Sequence, residues 1–398
     1  MLLAAAAQAQ TSPYYLGAAV SRSHDSNIFR LPQTLGPQSD SFTTRSALAG
    51  LDKPLGRQRI FTDIAVRQQR FGRLQELDNT GHGATAGLDW ETVGRFSGQV
   101  KAGTDKSLAS YGSPFAASAL HERNIQRERT FNASVQRGTV RSTLQPFVAY
   151  NARKTEYSAP AYRFRDNERR GLRAGVRWRP SDRLTVGAAA VGARGKYPYP
   201  RVRTTAQALP DEYTSRGMEF TGDWSVSGAS RLDGRIAYEQ RRYELASRRD
   251  FSGLNGLLRW QWQPTGKLAF TTSLLRDADD SDRFVGTDVT DLAQAGSRVT
   301  NSAMVDGTWS VTAKVSVNAK VRYSKRKLVN PSVDASGGVQ NLQGSDTTRL
   351  SSVGLTWAAT RNLSAGCNLG RQSRSTDSSL SFPFKASTVN CEVQALLR

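Results

Sequence analysis

The stretch that decides the fold is RRGLRAGVRWRPSDRLTVGAAA, Arg169 to Ala190. Leu172, Ala174, Val176 and Trp178 fall on one parity and Arg169, Arg173, Arg177 and Arg179 on the other. At a side-chain period of 2 this is a strand with one apolar and one cationic face. Pro180-Ser181-Asp182-Arg183 then turns the chain tightly, and Leu184 and Val186 resume the alternation on the way back. One such hairpin fits any sheet; its repetition from end to end points to a membrane.

Tight turns of the same kind are expected at residues 53–56, 92–94, 137–139, 227–229, 264–266, 312–313 and 360–362. Longer polar connections lie near 24–40, 71–77, 107–121, 156–167, 197–212, 246–250, 279–296, 328–346 and 373–384. Short turns alternating with long loops are the asymmetry of outer-membrane barrels. The segments between them alternate over more than the 5 to 6 residues usual in soluble strands and approach the roughly 9 to 11 that cross a bilayer. The expected fold is all-β: a transmembrane antiparallel up-and-down β-barrel of about 18 strands (16 to 20), with both termini periplasmic, in a bacterial outer membrane.

Tryptophan marks the depth. Trp90, Trp178, Trp224, Trp260, Trp262, Trp309 and Trp357 are all the tryptophans of the chain, and each precedes a proposed tight turn on the apolar parity. Indole concentrates at the headgroup level, so the set is expected to form one aromatic girdle.

The composition agrees. Apolar residues make up 38% of the 398, and the mean hydropathy of −0.52 is low for a chain that needs a dry core of that size. A barrel with a polar lumen has no such core. The net charge of +21 raises nucleic acid as a partner. The basic residues are spread through strands and loops, without a zinc-ligand spacing or a recognition helix, so no nucleic acid is expected. The start, MLLAAAAQAQ, reads as a signal-peptide remnant with an A-x-A site at Ala7-Gln8-Ala9, leaving residues 11–398 as one barrel domain.

No Walker loop, dinucleotide fingerprint or cysteine-histidine metal cluster occurs, so neither cofactor nor metal is expected, and no catalytic residue is assigned. His24 and His121 lie in proposed outer loops, where a hydrolase would place an acid-base group, but no nucleophile motif accompanies them. The chemistry left is a basic pore. The inward parity carries Arg57, Arg59, Arg67, Lys101, Arg169, Arg173, Arg177, Arg179, Arg235, Arg241, Lys320 and Arg322 as lining candidates. Asp63, Asp89, Glu219, Asp223, Asp233 and Glu239 share that face and are expected to pair with part of the set. Loop cations, among them Arg163, Arg165, Arg201, Arg203, Arg248, Arg249, Lys325, Arg326 and Lys327, are expected to contact outer-membrane lipids, including lipopolysaccharide phosphates.

Residues Ser23 to Pro32 (SHDSNIFRLP), Gly56-Arg57-Gln58-Arg59, and the pairs Gly366-Cys367 and Asn390-Cys391 resemble the EpsL-type outer-membrane β-barrel family of exopolysaccharide loci. The resemblance covers about the first ninety residues and the last thirty. It implies a passive porin-like conduit for a secreted polysaccharide, working with periplasmic export proteins; the residues alone reach a basic outer-membrane pore, for which a general anion-preferring porin is the alternative. The chain departs from many outer-membrane barrels in ending Ala395-Leu396-Leu397-Arg398 without a terminal aromatic, so either its insertion signal is a variant or the closing strand lies elsewhere. Cys367 and Cys391 share a parity at similar heights on the last hairpin, and a cross-strand disulfide is expected.

Overall fold

The computed structural model describes residues 12–111, 122–138, 142–199, 210–245, 250–278, 299–333, 339–378 and 380–397. Eighteen antiparallel strands form one sheet. They are β1 (Tyr14–Asp25), β2 (Asp40–Leu55), β3 (Gln58–Phe71), β4 (Asn79–Glu91), β5 (Phe96–Leu108) and β6 (Ile125–Arg137). Next come β7 (Leu144–Tyr157), β8 (Asn167–Ser181), β9 (Leu184–Tyr197), β10 (Asp211–Ser227), β11 (Ser230–Tyr243) and β12 (Phe251–Thr265). The last six are β13 (Leu268–Ala278), β14 (Val299–Ser310), β15 (Val315–Val333), β16 (Val339–Ala358), β17 (Leu363–Thr376) and β18 (Phe384–Leu397). Each pairs with its sequence neighbours, and β18 returns to β1 over the register Leu16↔Leu397 to Asp25↔Thr388. The sheet is closed, so no backbone edge is left to satisfy.

The alternation places apolar side chains outside. Leu172, Val176 and Trp178 on β8 are exposed while Arg169 between their rows is 6% exposed, and the pattern repeats at Ile236, Val321 and Leu397. Apolar surface on this scale is unfavourable in water, at roughly 25 cal/mol per Å², and favourable only against hydrocarbon. Six of the seven tryptophans are exposed on that outward face and Trp90 is half-buried; all seven lie at the short-turn ends of β4, β8, β10, β12, β14 and β16. Both ends of the barrel, Tyr14 and Leu397, are at this same end. Among the described residues no helix is long and apolar enough to cross a membrane.

The turn expected at 137–139 runs out of the described residues after Gly138; among the described residues the other short turns fall within a residue or two of where the sequence places them. One long loop does not. Residues 328–346 are expected as a loop, yet β15 and β16 stay paired from Leu328↔Gly344 out to Val333↔Val339. A backbone ladder needs no apolar alternation to continue, so strand pairing runs on after that pattern has gone from the sequence. The proposed signal remnant lies outside the described residues.

The closing hairpin sets Cys367 opposite Cys391, with Cα atoms 4.1 Å apart and the sulfurs bonded. Replacing both with serine is expected to lower unfolding stability by about 3 kcal/mol, the loop-closure value for a segment of this length, measured by urea unfolding in detergent under oxidising conditions. An unchanged midpoint would show that the barrel registers this hairpin without the bond.

Candidate pore wall and mouth

The inward face of β8 is a column of Arg169, Arg173, Arg177 and Arg179. Arg173 donates to Glu219 on β10 at 2.9 Å, and Arg235 on β11 approaches the other oxygen of the same carboxylate at 3.4 Å. Higher on the wall, Arg169 and Arg241 converge on Glu239 at 4.0 and 3.7 Å. Glu239 also accepts from Ser215 and, at 3.4 Å, from Asn255. The column can reach across because β9, between β8 and β10, turns only small or uncharged residues inward: Gly187, Ala189, Val191, Ala193 and Gly195. Gly195 must be glycine, since a Cβ there would sit 2.1 Å from the ring of Tyr213.

Arg177 is different. It donates to Gln136 at 2.7 Å and lies 4.4 Å above the ring of Phe147, a stacking arrangement that the planar guanidinium favours. Among the described residues, neither Arg177 nor Lys101 has a carboxylate within ion-pair distance. The other lining candidates are paired: Arg59 with Asp52 at 2.6 Å and Asp89 at 2.9 Å, Arg67 with Asp105 at 3.7 Å, and Lys320 with Asp306 at 3.3 Å. Arg322 faces inward between Lys320 and Arg326. Arg179 is also inward, next to the turn, and binds Asp182 at 3.1 Å.

Three expectations need correction. Arg57 belongs to the β2–β3 turn, exposed and off the wall, because the strands end at Leu55 and resume at Gln58. Arg169 and Arg241 are inward but buried, Arg241 to 1% exposure beneath Tyr213, so they build the wall and offer no surface to a passing solute. Lys325, Arg326 and Lys327 are strand residues, and Arg326 turns inward into a buried pair with Asp346, at 2.9 and 2.5 Å. The cause is that β15 runs unbroken through them to Val333, so strand alternation sets the direction of each side chain. Arg201, Arg203, Arg248 and Arg249 lie outside the described residues.

The motif Ser23 to Pro32 forms the mouth. Loop L1 (26–39) folds inward, and its Ile28, Phe29 and Leu31 bury against Phe71 and Leu77, with Phe42 and Tyr111 alongside. Asn27, 1% exposed, ties the loop down: its amide nitrogen donates to the carbonyls of Leu31 at 2.8 Å and Lys385 at 3.1 Å, and its oxygen accepts from the Leu31 N–H at 2.9 Å. Arg30 adopts a left-handed backbone (φ 58°), unfavourable for a side-chain-bearing residue. The strain is offset by its ion pair with Asp25 at 2.8 Å and its position over Phe384. L1 therefore reaches from β17 and β18 on one side to Tyr111 beyond β5 on the other.

The next loop (72–78) hangs on Asp40, which accepts from the N–H groups of Arg73 and Leu74 at 3.0 and 2.8 Å. Burial pushes its carboxyl up, but the bonds from Leu74, Arg73 and Ser41 outweigh burial and hold it below the usual range. Asp78 is also held down, by the Phe71 N–H and by Arg70. Carboxylates lowered in the folded state contribute stability that is complete above about pH 4 and lost as pH falls through their folded values. Protection of the Arg73 and Leu74 amides, taken as their exchange relative to the intrinsic rate at each pH, is expected to fall below that pH; protection that does not change with pH would show that other contacts hold the loop.

His24 stands on the outward parity of β1, its Nδ1 2.9 Å from Ser41 Oγ, and His121 lies outside the described residues. Among the described residues no cluster of histidine, cysteine, aspartate and glutamate could hold a metal ion. Alternation had identified Glu219 and Glu239 as partners of the arginines. It missed Asp346 and Arg374, hidden by the supposed loop, and Asn27, for which a single polar residue in a loop carries no periodic signal.

No protein-family model matches the chain, and no characterised protein matches it in sequence. In structure it is similar to OpdK, an outer membrane protein of Pseudomonas aeruginosa, at 12% identity and a TM-score of 0.49, over 96% of this chain and 98% of that one. OccK11 (OpdR) of the same organism matches at 14% identity and 0.47, over 97% and 96%. The FrpB iron transporter of Neisseria meningitidis matches at 10% identity and 0.48 over 91% of this chain, which spans 62% of FrpB. At these identities the likenesses concern the fold alone.

Proposed function

We propose that this chain is a passive channel of a bacterial outer membrane, periplasmic at its short-turn end, whose lumen favours anions. One observation carries the reading: the inward arginine column of β8, in which Arg177 stands stacked on Phe147 with no carboxylate partner among the described residues, next to a β9 wall bearing no inward charge. Charged rings in a pore wall set the sign of the permeant ion. The test is the reversal potential of the purified protein in a planar bilayer under a KCl gradient. Anion preference is expected, and Arg173→Glu with Arg177→Glu should move it toward cations; a cation-preferring wild type would overturn the reading.

A second reading is supported by the EpsL-type resemblance and by stacking of an exposed arginine on an exposed ring at the long-loop end, Arg163 on Tyr199; the rings under Arg165, Arg374 and Arg30 are themselves buried and take no part. Such a pair suits an acidic exopolysaccharide, which offers ring faces and carboxylates together. Export would be passive, driven by synthesis on the other side of the envelope, with periplasmic export proteins delivering the chain. Conductance blocked by the glycan of the same locus, and not by a neutral glycan of equal length, would favour it over a general porin.

A further inference from the structure

The outward face carries a second charge system that the pore does not use. At the long-loop ends of β5 to β9, cations oppose one another across the strand pairs on the lipid parity: Lys106↔Arg127, Arg129↔Lys154 and Arg170↔Arg194. Like charges placed directly opposite destabilise a sheet. Lys154 has Glu156 and Glu168 nearby, at 3.1 and 2.9 Å. Arg127 also stands opposite Glu156 on its other side, but Arg127, Arg129, Arg170 and Arg194 are all exposed and none forms an ion pair among the described residues.

Further round the barrel, β10 to β15 enclose an outward groove of about 800 Å³. The paired glycines Gly222 and Gly234, with Gly256, form its floor, and a Cβ on Gly222 would meet nothing within 4 Å. Phe220, Leu258 and Leu274 give it apolar walls. At its long-loop end Arg276, Asn301 and Lys325 stand in one register row, and Arg276 donates to Asn301 at 3.0 Å. Neither cation has a carboxylate partner among the described residues.

We propose that this face binds a multiply phosphorylated, multi-acyl lipid with the chemistry of lipopolysaccharide. One phosphate sits between Arg276 and Lys325, an acyl chain lies in the glycine-floored groove, and further phosphates bridge the opposed cations of β5 to β9. An anion is what relieves those like-charge pairs, and phosphate takes several charge-assisted bonds at once. An apolar groove opening toward the membrane receives hydrocarbon. A zwitterionic lipid brings its own cation and leaves the arginines unmatched. The inference rests on the barrel spanning a membrane with its long loops at the phosphate-bearing leaflet, and not on what the lumen conducts.

The test is native mass spectrometry of the full chain in mild detergent, titrated separately with bis-phosphorylated lipid A, its dephosphorylated form and phosphatidylglycerol. Retention of lipid A is expected, weakened roughly tenfold or more by Arg276→Gln with Lys325→Gln, by Arg170→Gln with Arg194→Gln, and by removal of the phosphates. Gly222→Leu, which fills the groove without changing charge, should weaken it as well. Equal retention of phosphatidylglycerol or of dephosphorylated lipid A overturns the proposal, as does full retention by all three variants. Heat-modifiable gel mobility establishes that each variant is folded. Because the substituted side chains face outward, ion preference in the bilayer stays at the wild-type value, which separates failure here from failure of the pore reading.

Discussion

Replacing Asp346 with asparagine is expected to destabilise the barrel by about 3–5 kcal/mol, the cost of leaving a buried cation without its anion. Asp346 is fully buried and takes Arg326 in a two-pronged pair, accepts from Ser381 at 2.6 Å, and lies 3.8 Å from Arg374. Without its charge, Arg326 and Arg374 repel each other across a closed space, and Ser381 loses the anchor that holds the last long loop inward. Arg374 also lies over Phe384, the ring that Arg30 of L1 covers from the other side, so the effect should spread to the mouth. Thermal unfolding in detergent measures the loss, and limited proteolysis of L1 measures its spread. Arg326→Gln added to Asp346→Asn should recover part of the stability, since removing both partners costs less than orphaning one. Additive losses would mean the two residues act separately.

The second large effect is expected at Glu219. Its carboxylate, almost fully buried, serves Arg173 at 2.9 Å and Arg235 at 3.4 Å, so Glu219→Gln takes a shared anion from two arginines at once. A loss of about 3 kcal/mol or more follows from the same desolvation argument. The functional sign is opposite to the structural one. Removing a negative charge from the wall beside the β8 column should raise anion preference, read as a shift in reversal potential in the same bilayer assay. An unchanged reversal potential would place Glu219 outside the conducting path and leave it a purely structural partner.

How far the chain could be read from its sequence differs along its length. Between the turns, period-2 alternation and the seven tryptophans were enough to place strands, faces and the short-turn end, because a membrane-spanning strand has hydrocarbon on one side and polar surroundings on the other. The same contrast assigned Glu219 and Glu239 to the face of the arginines. Where the contrast disappears, so did the reading: from Leu328 to Gly344 the sequence loses the period-2 apolar pattern and resembles a loop, although the backbone stays paired. The strongly basic balance was attributed to lumen and loops. Part of it lies instead on the lipid parity at the long-loop ends, where Arg170 and Arg194 oppose each other, a placement that depends on strand register.

By itself, then, the sequence determined the barrel, its approximate strand number, its inside and outside, and the hairpin that joins Cys367 to Cys391, since each is a consequence of local pattern repeated at strand spacing. Only the tertiary structure decided which arginines are spent on carboxylates and which remain available, that L1 folds into the mouth on Asn27, and that three glycines from β10, β11 and β12 open one groove on the outer wall. Those depend on register between strands and on contacts between residues far apart in the chain, as with Asn27 and Lys385, and no local pattern encodes them.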